Sequence, residues 1–243
     1  MEQQFRYSAN ALGLGGTIRR PALEFTSSPS AVLSPAGGSA NWSQEDFYVE
    51  GIFSFRSAAV SVRGGMDERG NYSTIASVRI GGLNVMDVLT ADVIVGRLIA
   101  KHQGREQSKF FVSGCQIQNL RIAGEAANIS LDMDVFDGAN YLSLAERYDK
   151  DPRFRKSMNP ENAAEWRSGK PMLLSLVGAL ETSAHVERKG NSVSIPQFGR
   201  VRFCELLVSP MTWKLEMLRV KLGSPVEGEV TVGSVDVNGT WYP

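Results

Sequence analysis

Apolar and polar residues alternate along most of this chain, and a single stretch of about thirty residues breaks the pattern. Residues 47–135 and 172–241 consist of short alternating segments separated by glycine-rich turns, which is typical of strands that bury one face. In between, at residues 138–168, apolar residues such as Tyr141 and Leu144 recur at helical spacing. We therefore predict a mainly β fold, an antiparallel β-sandwich or barrel, with a short two-helix insertion at about 138–168.

Within the insertion, the first helix is expected at residues 138–148. A proline at 152 indicates a turn, because the residue before a proline avoids helical torsions. Asn159 followed by Pro160 fits a helix N-cap with proline at the first helical position, so the second helix is expected to run to about residue 167.

Residues 1–46 lack regular alternation and are predicted to form an extended N-terminal arm, with residues 47–243 as a single β-rich domain. Pro21, Pro29 and Pro35 lack backbone donors and argue against a helix or a central strand in this segment. Two interpretations stay open: the arm packs along its own domain, or it reaches a neighbouring subunit.

Two local patterns concern strand geometry. Residues 213–222 change parity, since Leu215 and Met217 share one face and Leu218 takes the other. A β-bulge or a short amphipathic helix would explain the change, and we favour the bulge. Residues 77–85 also resemble residues 114–122, which suggests two similar hairpin or meander units.

Composition limits the functional classes. The chain has 243 residues, with 26 Lys and Arg against 26 Asp and Glu, so the formal net charge is zero. A neutral chain argues against a dedicated nucleic-acid binder and favours self-association, because net charge is what keeps molecules apart. Cys115 and Cys204 lie in apolar surroundings and are expected to be free core thiols rather than a disulfide.

The sequence shows no targeting signal. The N-terminal residues have no apolar run after the first basic residue, and no stretch reaches the roughly 18 apolar residues of a transmembrane helix. The expected location is cytoplasmic, or outside the cell by a route without an N-terminal signal peptide.

Three acids are candidate metal ligands. Asp132 and Asp134 would share one face of a strand, and Asp137 follows at a loop start. Such carboxylates could bind calcium or divide acid and base roles in glycoside hydrolysis. A solvated strand face explains the same pattern more simply. No cofactor is predicted, and calcium is the one ion kept as a possibility.

Four aromatic residues are candidates for stacking against sugar rings: Trp42, Trp213, Trp241 and Tyr242. Burial in a β core is the commoner role for such residues.

The two histidines, His102 and His185, have no nucleophile or carboxylate partner in a known catalytic pattern. The sequence also lacks a nucleophile elbow, a phosphate loop and a dinucleotide fingerprint.

These observations favour a non-catalytic β-rich structural or interaction protein that self-associates into a homo-oligomer. A carboxylate-dependent hydrolase, with a glycan as one possible substrate, is the alternative. A carbohydrate-binding or membrane-active β protein is the second alternative.

Overall fold

A computed structural model describes residues 4–24, 28–103, 108–158, 166–168 and 170–242 of the chain. Strands make up 66% of the structure and form two antiparallel sheets packed face to face. Neither sheet closes on itself over the described residues. The predicted β-sandwich with a short helical insertion is therefore confirmed.

The strands in chain order are β1 (Gln4–Arg20), β2 (Leu23–Glu24), β3 (Ser30–Val32), β4 (Gly38–Val49), β5 (Phe53–Met66), β6 (Tyr72–Val85), β7 (Leu89–His102), β8 (Lys109–Val112), β9 (Gln116–Gln118), β10 (Leu120–Ile122), β11 (Glu125–Leu131), β12 (Met172–Ser175), β13 (Val177–Thr182), β14 (Glu187–Lys189), β15 (Ser192–Ile195), β16 (Gly199–Val208), β17 (Trp213–Leu222) and β18 (Glu227–Tyr242). The α-helices are α1 (Tyr141–Lys150) and α2 (Pro152–Ser157), and 3₁₀ turns occur at Asp134–Phe136 and Trp166–Ser168.

Sheet A has the order β14-β15-β16-β17-β18-β1-β2, with β12 also paired to β16 and β3 to β1. Sheet B has the order β13-β11-β10-β7-β6-β5-β4, with β8 and β9 also paired to β7. Strands β1, β17 and β18 of sheet A lie over β5, β6 and β7 of sheet B. The core is the apolar layer between them, and it includes Trp213 stacked on Phe110 with ring centroids 4.6 Å apart.

The N-terminal segment differs from the predicted arm. Gln4–Arg20 is a long inner strand of sheet A that pairs with β18 along nearly its whole length. The prolines do exclude strand structure where they stand, since β1 ends immediately before Pro21. They carry no information about the residues before them, and the glycines there serve packing: a Cβ on Gly16 would lie 2.2 Å from the carbonyl oxygen of Glu229.

The parity change in residues 213–222 arises from a kink that crosses sheet A. Cys204 in β16 and Gly233 in β18 have positive φ angles of 50° and 68°, and Met217 in β17 lies between them. The register on either side of this row is unchanged, so all neighbouring strands switch faces together. The predicted strand is confirmed, whereas the predicted shift of register is wrong.

Sheet B has a matching kink, and it explains the internal similarity of residues 77–85 and 114–122. Gly82 and Asn119 occupy equivalent positions in the two segments and have φ angles of 66° and 50°. The segments flank β7 on opposite sides, and both lie next to Asp92 at the kink. Asn119 Nδ2 donates a hydrogen bond to Asp92 Oδ2 at 2.7 Å.

The helical insertion follows β11. Helix α1 begins at Tyr141 with a capping box in which Asn140 and Ser143 bond each other's backbone amides. Helix α2 occupies the position where we predicted a turn, because Pro152 is its first residue and the Asp151 carboxylate accepts from the Phe154 amide at 3.3 Å. The predicted helix at residues 159–167 lies mostly outside the described residues.

Among the described residues, no helix has both the length and the apolar character needed to cross a bilayer.

Candidate functional site

Strand β4 forms one edge of sheet B. Its inner side pairs with β5 from Gly38 opposite Gly64 to Val49 opposite Phe53, and no strand among the described residues pairs with its other side. None of its 12 residues is buried. Trp42 and Tyr48 expose 60% and 69% of their surface, respectively.

The sequence of this edge offers none of the usual protection against pairing. Edge strands are commonly protected by lysine, proline or an inward-pointing charge. Residues 38–44 contain no charged residue and no proline, and no residue between Gly38, whose φ is 97°, and Asp46, whose φ is 51°, has a positive φ. This segment is therefore a template for an additional strand.

The outer face of sheet B, the side away from the core, carries unpaired positive charges. We define the basic face as the outward-facing residues of 57–63, 73–79, 93–101, 109–111 and 116–118, which lie on one side of the kink. Arg56 and Asp92, both exposed, lie at the kink itself and are not counted in it. Its five cations are Arg63, Arg79, Arg97, Lys101 and Lys109, all exposed. The rest of the face is neutral: Ser57, Ala59, Ser61, Ser73, Ile75, Ser77, Val93, Val95, Ile99, Phe111, Gln116 and Gln118. No described acidic residue lies within ion-pair distance of Arg63, Arg79 or Arg97.

The outer face of sheet A is different, because its charges pair with one another. Glu205 is only 3% exposed and lies 3.9 Å from both Arg202 and Arg219. Arg219 also contacts Glu229 at 2.7 Å, and Lys214 contacts Glu216 at 2.6 Å. Glu205 and Glu216 lie on one side of the kink, and Arg202 and Arg219 lie on the other. These ion pairs balance positive and negative charge on this face.

A cleft of about 560 Å³ lies between the helical insertion and strands β13 and β14. Arg147 and Asp151 line it, but both hold the insertion in place: Arg147 Nη1 donates to the Val135 carbonyl at 2.8 Å and its Nε lies 3.4 Å from Asp151. Lys156 and Arg188 complete the basic part of the lining. The charges there are mixed, and the central ones serve the attachment of α1.

The predicted carboxylate site is not assembled as the sequence suggested. Strand β11 ends at Leu131, so Asp132 and Asp134 do not share a strand face, and Asp134 begins a 3₁₀ turn. Asp132 lines the cleft, whereas Asp134 and Asp137 do not. The described residues contain no group of three or more His, Cys, Asp or Glu side chains arranged to hold a metal ion.

The predicted aromatic platform is also dispersed. Trp213 is fully buried in the core, and Trp241 packs against Phe5 with ring centroids 5.4 Å apart. Trp42 lies on the exposed edge of the other sheet. The side chain of Tyr242 lies outside the described residues. Three of the four predicted residues therefore serve different parts of the molecule.

His102 is buried at the end of β7, only 2% exposed. Burial lowers the pKa of His102 to about 4, because desolvation disfavours the charged ring. Its Nδ1 hydrogen bonds with Ser108 Oγ, and its ring lies 4.8 Å from that of Phe5. His185 is exposed in a bend between β13 and β14, not within a strand. The two histidines do not form a site together.

Both cysteines are buried free thiols, as predicted. Burial raises the pKa of Cys115 to about 11 and that of Cys204 well above its usual value, so both thiols stay protonated near neutral pH.

Sequence reasoning missed both the basic face and the β4 edge. The signal for the face is present in the alternation of β5, β6 and β7, because the residues out of phase with the buried valines and isoleucines include arginine in each strand. Strand order is needed to bring them together. The edge could not be recognised without knowing which strand is last in its sheet.

Comparison with known proteins gives a family but no activity. A family model described as "Domain of unknown function (DUF8256)" matches residues 5–170, more than half of the chain. No curated protein and no solved structure matches significantly. The matched residues include β1, the described strands of sheet B up to β11, and the helical insertion, and therefore both the β4 edge and the basic face. The chain belongs to this family, the domain of unknown function DUF8256.

Proposed function

We propose that this chain is a non-catalytic structural or interaction protein that self-associates through the β4 edge. The observation that carries the proposal is the uncharged edge segment at residues 38–44, which contains the exposed Trp42. Two copies related by a two-fold axis could pair their β4 strands antiparallel and join two copies of sheet B into one continuous sheet.

Charge supports this arrangement. An isologous contact places the same segment of each copy against itself, so any charge within it would meet a like charge. Residues 38–44 avoid that cost because they carry none. The indole of Trp42 would lose exposed apolar surface on pairing, which is favourable by about 25 cal/mol for each Å² removed from water.

The mass of the chain in solution tests the proposal. Light scattering across a dilution series should show a multiple of the 26.5 kDa chain mass that dissociates on dilution. Trp42→Lys places a lysine on the edge and should yield the single-chain mass. Met211→Lys is the matched control, since Met211 is 53% exposed in the turn before β17 and lies outside the edge.

A single-chain mass at every concentration would overturn the proposal. An oligomer that both lysine variants leave intact would place the contact elsewhere on the molecule and would equally reject β4 as the interface. Circular dichroism of both variants should match that of the unmodified chain, because both side chains are exposed.

The hydrolase alternative remains a prediction without geometric support. Of its three candidate acids only Asp132 lines the cleft, and the neighbouring Asp151 pairs with Arg147 at 3.4 Å.

A further inference from the structure

We propose that the basic face of sheet B binds a linear anionic polysaccharide. The inference is independent of the self-association proposed for the β4 edge. The chain is neutral as a whole, yet this face carries five cations. The one acid in the described strands β5 to β9, Asp92, lies at the kink beside the face and accepts a hydrogen bond from Asn119.

The positions of the arginines favour an extended ligand over a small anion. Ser61, Ser77 and Arg97 lie side by side in neighbouring strands, and Arg79 is one same-face step from Ser77. Strands are about 4.8 Å apart and same-face residues about 6.8 Å apart, so Arg79 and Arg97 are separated by about 8 Å. Arg63, two strands from Arg97, is about 12 Å from it. Such spacing suits successive acidic groups along a chain.

The chemistry of the face suits carboxylate or sulfate groups. Arginine presents a planar fork of donors that fits such groups in a bidentate way. Between the arginines lie serine hydroxyls, and Ser61 Oγ and Ser77 Oγ are 2.8 Å apart, exposed, and able to turn toward a ligand. Because no described acidic residue lies within ion-pair distance of them, the guanidinium groups of Arg63, Arg79 and Arg97 need not break an ion pair to bind.

The same face is poorly suited to single-stranded nucleic acid. Sheet proteins that bind single strands stack bases on aromatic side chains, which contributes about 1–3 kcal/mol per base. The central positions here are Ile75, Val95 and Ile99, and the described part of the face has one aromatic, Phe111, at its margin. That ring lies 4.8 Å from Lys101 Nζ, which covers it. The observations therefore favour a charged glycan, which arginine guanidinium groups and serine hydroxyls can bind without aromatic stacking.

Binding is tested by titrating the full chain at low salt with three probes: heparin, which is sulfated; hyaluronate, which carries carboxylates only; and a single-stranded oligothymidylate. We expect one or both polysaccharides to bind more tightly than the oligonucleotide. The heparin and hyaluronate titrations show whether sulfate or carboxylate is the preferred group. Affinity should fall with added salt, since each ion contact releases counterions.

The decisive variant replaces Arg63, Arg79 and Arg97 with serine. Its affinity for the polysaccharide should fall about tenfold or more, and the dependence on salt should become shallower. The matched control removes three exposed cations from the opposite side of the molecule: Lys189→Ser, Arg200→Ser and Lys221→Ser. It changes net charge equally and should bind as the unmodified chain does. Each single arginine variant should show part of the loss, so the test survives if the triple variant folds poorly.

Several results would overturn the inference. They are the absence of polysaccharide binding at low salt, an equal loss in the control variant, and tighter binding of the oligonucleotide. A change in oligomer mass in the triple arginine variant would instead assign the face to a contact between copies. That outcome is separate from the Trp42→Lys result, so failure here and failure of the proposed self-association are distinguishable.

Discussion

The two outer faces of the sandwich have similar strand geometry and opposite electrostatic organisation. On sheet A acidic and basic side chains lie within ion-pair distance of one another, and the buried Glu205 lies 3.9 Å from both Arg202 and Arg219. On the basic face of sheet B the charges share one sign and stand apart, separated by serine and aliphatic residues. Paired charges stabilise the sheet that holds them, whereas unpaired charges leave their interactions for a partner.

This comparison predicts that removing a charge from sheet A destabilises the fold and that removing one from sheet B does not. The largest change in the free energy of unfolding is expected from the core between the two faces, where His102 is buried.

Acid should destabilise the protein through His102. Its pKa is about 4 in the folded state and about 6.5 when unfolded, so the folded state binds fewer protons between these values. Stability should therefore be full above pH 6.5 and fall by roughly 3 kcal/mol as pH drops to about 4. Urea unfolding at several pH values measures this. His102→Gln should remove most of the dependence, and an unchanged pH profile in that variant would contradict the assignment.

Glu205→Gln should lower the free energy of unfolding by about 2 kcal/mol. Breaking a buried pair costs about 3–5 kcal/mol, and the effect is smaller here because Arg202 and Arg219 are 22% and 38% exposed and can rehydrate. Glu229→Gln is the control, since Glu229 is 49% exposed and should cost less than about 1 kcal/mol. Equal urea midpoints for the two variants would break the contrast between buried and exposed pairs.

The kinks should be equally sensitive in the two sheets. Gly233→Ala and Gly82→Ala each force a Cβ onto a backbone with φ near 68° and 66°, at a cost of about 1 kcal/mol. Arg56 lies next to Gly82 but is exposed and can move aside. Gly65→Ala, with open space around it, is the control for thermal melting. A much larger loss for Gly82→Ala would mean that Arg56 is held in place and cannot move aside, and it would reject the expected equality of the two kinks.

The smallest effect is expected for Arg79→Ser, which should change stability by less than about 0.5 kcal/mol because Arg79 has no ion-pair partner among the described residues. Arg219→Ser is its matched counterpart on sheet A and should cost more, since Arg219 contacts Glu216 and Glu229. Similar urea midpoints for both variants would remove the distinction between the two faces.

Much of the fold could be predicted from alternation and local signals. The β class follows from the alternation of residues 47–135 and 172–241, and residues 213–222 are a strand, the interpretation favoured over a short helix. The start of α1 follows from Asn140 and Ser143. The error at β1 came from extending a local property of proline beyond its own position. The error at α2 came from reading Asp151-Pro152 as a turn when the same dipeptide also begins a helix.

The candidate sites were less predictable, because they depend on strand order. In the sequence Asp132 and Asp134 look like two residues of one strand. Strand β11 in fact ends at Leu131, just before Asp132, so neither acid belongs to it. A glycine inside an apolar strand, such as Gly96, often marks a β-bulge. Gly96 instead keeps its regular pairing with Val78, and its lack of a side chain makes room for Met217 of the opposite sheet. Local sequence does not report which residue approaches from the other sheet.

The sequence alone determined that this chain forms strands with one buried face, interrupted by a short helical insertion, because the period of apolar residues reflects backbone geometry. It also determined the neutral total charge. The tertiary structure decided how that charge is distributed, since Arg63, Arg79 and Arg97 come from three strands and meet on one face only when those strands pair in register. It likewise decided that β4 is an edge, a property that belongs to the order of strands in a sheet and not to any strand by itself.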